Sequence, residues 1–272
     1  MPELPEVETT VNDLRPYVTG HKIIRAEVFT ERTVACPSAA EFCRLISGRT
    51  ILTVGRRGKY LLFELDAGWY WIAHLRMTGS MLVKADDEPA GKMVRALIHL
   101  DNRTAIHFQD IRRFGRLWLV RDCNEVTGKL GSEPLSTDFQ VKDLQKILAG
   151  RPTPVKSLLL DQTLIAGIGN MYADEALFLS GIHPRTPAGT LSGSAIARLH
   201  QAIQTVLQQG IKNKGASTDT FYRPDGIKGE AHLQFKVAHR KGETCPVCGS
   251  PIERIVVGQR GTFFCPKCQK LK

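Results

Sequence analysis

The chain has 272 residues, 42% of them hydrophobic, with a formal net charge of +10 and a pI near 9.4. That length can bury two modest cores, and the positive balance points to a polyanionic partner, nucleic acid before an acidic membrane. No apolar run approaches the ~20 residues that span a bilayer, and the first residues lack the charged and apolar regions of a secretory signal, so a soluble intracellular protein is expected.

The first predicted element is a short amphipathic helix reaching about Tyr17, with Val7, Val11 and Leu14 at helical spacing. It opens on Met1-Pro2-Glu3-Leu4-Pro5-Glu6-Val7-Glu8. Proline and glutamate in a first turn are an ordinary helix start, because the missing N–H costs nothing there and carboxylates complement the dipole. The same residues also offer chemistry. With Met1 removed, as is usual before a small second residue, Pro2 would carry a secondary amine able to attack an electrophilic sugar carbon and form an iminium. An α-amino group has a pKa of roughly 7.7–8.0, so a neutral fraction is present near neutral pH. Glu8, on the same helix, reads as a solvated charge.

From residue 22 to about 120 the chain holds short runs rich in β-branched and aromatic residues. They fall at Lys22–Phe29, Thr50–Arg56, Tyr60–Leu65, Trp69–Leu75, Ala96–Leu100, Ala105–Phe108 and Leu117–Val120. Gly, Asp and Asn separate them, which predicts an antiparallel sandwich or barrel, with a polar loop over Ala85–Lys92. Beyond about Gly131 the texture becomes helical. Val155–Leu160 and Met171–Leu179 read as helices, and Ile196, Leu199, Ile203, Val206 and Leu207 recur at helical spacing after a Ser192 or Ser194 cap. Gly210 to Gly229 reads as a mobile loop.

The chain closes on Cys245-Pro-Val-Cys248 and Cys265-Pro-Lys-Cys268, with sixteen residues between the pairs. This spacing matches a tetrahedral four-thiolate zinc site on two knuckles joined by a β-hairpin. Two disulfides are the alternative, and an intracellular setting disfavours them. Four sulfur ligands leave no open position for water, so the zinc role is structural. Arg260 falls in the hairpin, expected at its exposed tip, where a rigidly presented Arg can probe phosphate. Cys36, Cys43 and Cys123 follow no pattern and read as small core residues.

The opening PELPEVE, Arg56-Arg57-Gly58-Lys59-Tyr60, His74-Leu75-Arg76-Met77, Asp110-Ile111-Arg112-Arg113-Phe114-Gly115, Asp161-Gln162-Thr163-Leu164-Ile165-Ala166-Gly167-Ile168-Gly169-Asn170 and the four-cysteine hairpin occur in that order. Together they resemble the bacterial formamidopyrimidine-DNA glycosylases, and the resemblance covers essentially the whole chain. It implies an α+β chain of two domains, an N-terminal helix plus antiparallel β-sandwich followed by a helix–two-turn–helix domain that ends in the zinc hairpin. The expected boundaries are 1–125, 126–232 and 233–272.

The resemblance also implies roles. Pro2 looks like the nucleophile on C1′ of a damaged nucleotide, Glu3 like the carboxylate that passes protons to and from the sugar ring oxygen, and Glu6 like an acid that places the N-terminus. Lys59 resembles a β-hairpin lysine that contacts phosphate near the lesion and assists elimination. His74, Lys156, Asn170 and Arg260 resemble phosphate contacts, the glycines around Asn170 allowing close backbone approach. Met77, Arg112 and Phe114 match the residues that fill the hole left by an extruded base, which a glycosylase requires because C1′ of a stacked nucleotide is shielded.

The expected partner is therefore damaged double-stranded DNA, with one structural Zn²⁺, no membrane, monomeric action and a place in the bacterial cytoplasm on nucleoid DNA. The expected activity is a bifunctional glycosylase and AP lyase on 8-oxoguanine and formamidopyrimidines. A sister group specific for oxidised pyrimidines is the alternative enzyme, disfavoured by Leu4 where that group tends to have Gly. A non-catalytic zinc protein that binds DNA or RNA is the alternative from another class, disfavoured by the intact set Pro2, Glu3, Glu6 and Lys59. Two places depart from the family pattern. Val237-Ala238-His239-Arg240 stands where a Tyr-Gly is usual, removing an aromatic phosphate contact. Asp219 stands where relatives often carry a basic residue, in the loop that covers the extruded base.

Overall fold

The computed structural model describes residues 1–218 and 221–271. They form two compact units, one of Met1–Lys129 with Asn213–His232 and one of Leu130–Lys212 with Leu233–Lys272. The chain thus passes from the first unit to the second after Lys129 and returns to the first for Asn213–His232.

The first unit opens with helix α1 (Leu4–Val18), whose Leu4, Val7, Val11, Leu14 and Val18 are all buried. Strand β1 (Ile23–Val28), the short β2 (Val34–Cys36) and helix α2 (Ala39–Ile46) follow. Neither β2 nor α2 is among the expected elements. The signal for α2 is Ser38 three residues before Glu41, and Glu41 N does donate to Ser38 Oγ at 3.3 Å. Then come β3 (Ile51–Arg57), β4 (Tyr60–Leu65), β5 (Trp69–His74), β6 (Gly79–Ala85), β7 (Val94–Leu100), β8 (Thr104–Asp110), β9 (Arg116–Val120) and the one-turn α3 (Asn124–Thr127).

These strands form two sheets, of order β1-β7-β8-β6 and β2-β9-β5-β4-β3. All pairs are antiparallel except the short β2 with β9, which is parallel. The strands alternate, so one face of each sheet supplies the shared core: Ala96, Ile98, Leu100, Ile106 and Phe108 from the first, Leu61, Phe63, Trp71, Ala73, Leu117 and Leu119 from the second. Phe63 stacks on its cross-strand partner Trp71 at 4.1 Å.

The second unit contains α4 (Val141–Leu148), α5 (Val155–Leu159), α6 (Asn170–Ser180) and α7 (Gly193–Lys212), then the hairpin β10 (Glu253–Val257) and β11 (Arg260–Phe264). Helix α7 buries Ile196, Leu199, Ile203, Val206 and Leu207, the residues whose spacing predicts it. Its start is capped by Ser192, whose Oγ accepts from Ala195 N at 3.3 Å. No helix among the described residues is long and apolar enough to cross a membrane.

Candidate active site

Glu3 and Glu6 are both buried at the start of α1. The Glu6 carboxylate accepts from Glu3 N at 2.8 Å and, through its other oxygen, from Ala216 N at 2.7 Å. One side chain therefore fastens the N-terminus to the returning segment of the same unit. That segment is held further by Ser217, whose hydroxyl donates to Phe221 O and accepts from Gly229 N, both at 2.8 Å. Asp13 on α1 pairs with Arg223 at 2.7 Å and Lys214 at 3.3 Å. Asp219, the departure read from the sequence, lies outside the described residues.

Lys59 follows Gly58 in the two-residue turn between β3 and β4, where Arg57 pairs with Tyr60. The turn needs a positive φ, and Gly58 supplies it at 56°. Lys59 is only 6% exposed. Arg56 steadies the turn, donating to Gly58 O and to Glu8 Oε2, each at 2.9 Å. Glu8 is thus a half-buried ion-pair partner and not the solvated charge expected, because β3 packs beside α1.

His74 ends β5 and is 7% exposed. Its Nδ1 accepts from Arg76 N at 3.0 Å, which leaves the proton on Nε2. Burial, followed by the charges of Arg76 and Lys59, pushes its pKa down to about 3. The ring is therefore a neutral donor across the physiological range, suited to a phosphate oxygen without adding charge.

Met77 and Phe114 are exposed at 38% and 42%, and with Met1, Arg76 and Arg116 they line a cavity of about 360 Å³. The Arg112 guanidinium lies over the Phe114 ring at 4.8 Å. The structure thus brings together three residues drawn from two segments more than thirty positions apart in the chain. Arg76 and Arg116 are cavity residues that sequence reasoning misses, although the first stands inside one of the motifs that carry the resemblance.

In the second unit, Asn170 opens α6 and donates through Nδ2 to Gly261 O at 2.9 Å, while its buried Oδ1 finds no partner among the described residues. The turn before it is braced by Gln162, whose Oε1 accepts from Gly167 N and whose Nε2 donates to Ile168 O, both at 2.9 Å. Gly167 adopts φ 94°, which a side chain would resist. Arg260 is exposed, but Val257 pairs with Arg260 across the hairpin, so Gly258 and Gln259 form the tip and Arg260 begins the return strand.

Lys156 requires a correction. Expected as a phosphate contact, it is fully buried on the short α5. Its ammonium lies 2.6 Å from Asp174 Oδ1 and donates to Thr262 Oγ1 at 2.8 Å. Its charge is spent inside the unit, where it ties α6 to the hairpin. Burial drives the Asp174 carboxyl up to about 7 against the pull of that ammonium. Beside it, the buried Glu175 carboxylate accepts from Lys236 N, Val237 N and Ala238 N at 2.8–3.0 Å. Burial raises the Glu175 pKa while those donors oppose the rise. The segment that departs from the family pattern is therefore anchored through its backbone, which any residue offers.

The four sulfurs of Cys245, Cys248, Cys265 and Cys268 lie within 4.8 Å of one another. Cys245–Cys268 is 3.9 Å and Cys248–Cys265 is 3.4 Å. A tetrahedron of zinc–sulfur bonds near 2.3 Å has edges of about 3.8 Å, so the cluster is positioned to bind one zinc ion. Phe178, Val237 and Ile252 pack against it.

Residues 1–117 match the family described as Formamidopyrimidine-DNA glycosylase N-terminal domain, residues 130–222 its H2TH domain, and residues 242–271 the zinc finger found in FPG and IleRS. The chain is 46% identical over 277 residues to the formamidopyrimidine-DNA glycosylase of Chloroflexus aggregans, covering 100% of this chain and 99% of that one. It is 42% identical over 275 residues to that of Protochlamydia amoebophila, covering 99% and 100%. Among solved structures it is similar to the MutM (Fpg) protein of Thermus thermophilus, with TM-score 0.90, 42% identity and full coverage of both chains. It is also similar to the Lactococcus lactis Fpg in complex with DNA containing an abasic site, with TM-score 0.92, 36% identity and coverage of 98% and 99%. The chain belongs to the formamidopyrimidine-DNA glycosylase family.

Proposed function

We infer that this protein excises oxidised purines, chiefly 8-oxoguanine and formamidopyrimidines, from duplex DNA and then cuts the strand at the resulting site. The observation that carries this reading is the cavity at the N-terminus. Met1, whose removal bares the Pro2 amine, lines the same space as the exposed Met77 and Phe114. The residue bonded to the proposed nucleophile thus lines one opening with two residues of the proposed wedge.

In this reading the Pro2 nitrogen bonds to C1′ of the extruded nucleotide as the glycosidic bond breaks, and the base leaves with a proton. Glu3 protonates the ring oxygen, the sugar opens and the nitrogen lone pair completes an iminium. The iminium acidifies the C2′ proton. Its loss expels the 3′ phosphate, and a second elimination expels the 5′ phosphate. Glu6 holds the N-terminus in place, and Lys59 and the neutral His74 hold phosphate beside it. Asn170 and Arg260 grip the backbone from the second unit, and a zinc ion held by Cys245, Cys248, Cys265 and Cys268 would brace the hairpin that presents Arg260. The protein acts as a monomer in the bacterial cytoplasm, on nucleoid DNA.

The test is borohydride trapping on a duplex with one 8-oxoguanine opposite cytosine. A protein–DNA adduct mapped by mass spectrometry to a Met-free Pro2 supports the reading. No adduct, with intact binding and complete Met1 removal, would overturn the purine assignment. The same trap on oxidised pyrimidines then separates the sister activity from a silent binder.

A further inference from the structure

The three wedge residues come from two loops, and the sheet topology explains why those loops meet. Residues 75–78 carry the chain from β5 in one sheet to β6 in the other, and residues 111–115 carry it back from β8 to β9. Strand β5 pairs with β9 through His74 and Arg116, and β6 pairs with β8 through Gly79 and Asp110. Both ends of the two crossings are therefore in register, and the crossings run side by side. Each has a tight, unusual backbone: Arg76 and Arg113 adopt φ of 56° and 57°, and Gly79 N donates to Leu75 O at 2.9 Å.

The two crossings are joined at one buried point. The Asp110 side chain, 1% exposed, accepts from the Thr78 hydroxyl of the other crossing. It also accepts from Gly115 N at 2.6 Å and Arg112 N at 3.2 Å. The Thr78 hydroxyl in turn accepts from Arg112 N at 3.0 Å. Asp110 itself is pinned through its backbone, its carbonyl accepting from Arg95 Nε at 2.8 Å and its N–H donating to Met93 O at 2.9 Å. Gly115 lies so close that a Cβ there would meet the Phe108 ring at 2.5 Å. Thr78 is the neighbour of Met77, and Asp110 holds both ends of the segment that bears Arg112 and Phe114.

We propose that Thr78 and Asp110 are positioning residues for base extrusion, a hydrogen-bonded clamp that holds Met77, Arg112 and Phe114 as one preformed wedge. Exposed side chains on separate loops would each lose conformational freedom on entering the base stack. A clamp that has already ordered their backbones removes that cost from the extrusion step. This proposal rests on the glycosylase reading above. It assigns Thr78 and Asp110 no contact with DNA.

The test compares Thr78→Val, Thr78→Ser and Asp110→Asn with the parent in zinc-loaded, Met-free protein at saturating concentration. Single-turnover rates are measured on an 8-oxoguanine duplex, which needs extrusion, and on a duplex with a preformed abasic site, which has no base to extrude. A 2-aminopurine beside the lesion reports unstacking. Thr78→Val is nearly isosteric and is expected to slow 8-oxoguanine excision and the 2-aminopurine rise about tenfold. Strand cleavage at the abasic site should change less than about threefold, and Thr78→Ser should recover most of the loss. Asp110→Asn sets an N–H₂ against the clamp's donors and should slow excision in the same selective way. The proposal is overturned if Thr78→Val matches the parent, if both reactions fall together, or if Thr78→Ser is as slow as Thr78→Val. A parent protein inactive on both duplexes would instead sink the glycosylase reading itself.

Discussion

The Lys156 ammonium lies 2.6 Å from the Asp174 carboxylate, and both side chains are shut off from solvent. This pair joins the helix that begins with Asn170 to the hairpin strand that begins with Arg260, because Lys156 also donates to Thr262. Two residues expected on phosphate are thereby held by a third that was expected there and is not.

Lys156→Met keeps the apolar stem but strands the Asp174 carboxyl, with Phe263 N at 3.0 Å as the donor left to it among the described residues. Breaking one side of a buried pair costs about 3–5 kcal/mol, so urea unfolding of the zinc-loaded protein should shift by that order. Adding Asp174→Asn should recover part of the loss. A lysine working on phosphate would behave differently, leaving stability alone and lowering the salt slope of DNA binding by about one charge.

Glu6→Ala removes the acceptor for both Glu3 N and Ala216 N. Two buried N–H groups left unpaired cost about 1–3 kcal/mol each. Thermal melting should fall accordingly, and borohydride trapping at Pro2 should slow by an order of magnitude or more. An unchanged trapping rate would mean that the N-terminus is placed by something else.

His74 supplies a pH signature. Its folded pKa of about 3 lies below the unfolded value of about 6.5, so the unfolded chain takes up the proton first. The stability tied to the neutral ring is complete above pH 6.5 and is lost as pH falls toward 3. At pH 5 the loss is about 2 kcal/mol. Replacing the ring by Gln should flatten the stability profile between pH 7 and 5 by that amount relative to the parent.

Zinc removal should act on the hairpin. Each chain should carry one zinc by elemental analysis. Chelation or Cys248→Ser should release the knuckles against which Phe178 and Val237 pack, lowering the melting temperature and weakening DNA binding at least tenfold. Normal binding by zinc-free protein would remove the hairpin from the DNA-contacting surface.

The elements legible in the sequence are those written over short spans. Helix α1 follows from Val7, Val11 and Leu14, helix α7 from its five apolar residues, and the zinc cluster from two pairs of cysteines three positions apart. Helix α2 is equally legible through Ser38 and Glu41, though its eight residues are easily overlooked beside the strand runs. Strand β2 is not legible, because three residues pairing in parallel with β9 carry no periodicity.

The candidate site divides in the same way. Residue type, spacing and family resemblance name Pro2, Glu3, Lys59, Met77, Arg112, Phe114 and the four cysteines, since reactive groups and metal ligands announce themselves by chemistry. What those residues touch is decided only by the fold. Glu8 meets Arg56 because β3 packs on α1, the returning segment meets Glu6 across more than two hundred residues, and Lys156 is turned inward to Asp174. Local order depends on neighbours a few residues apart, and the sequence by itself determines that. Burial and pairing depend on which distant strands share a register, and only the paired sheets and packed helices settle whether a charge faces outward or the interior.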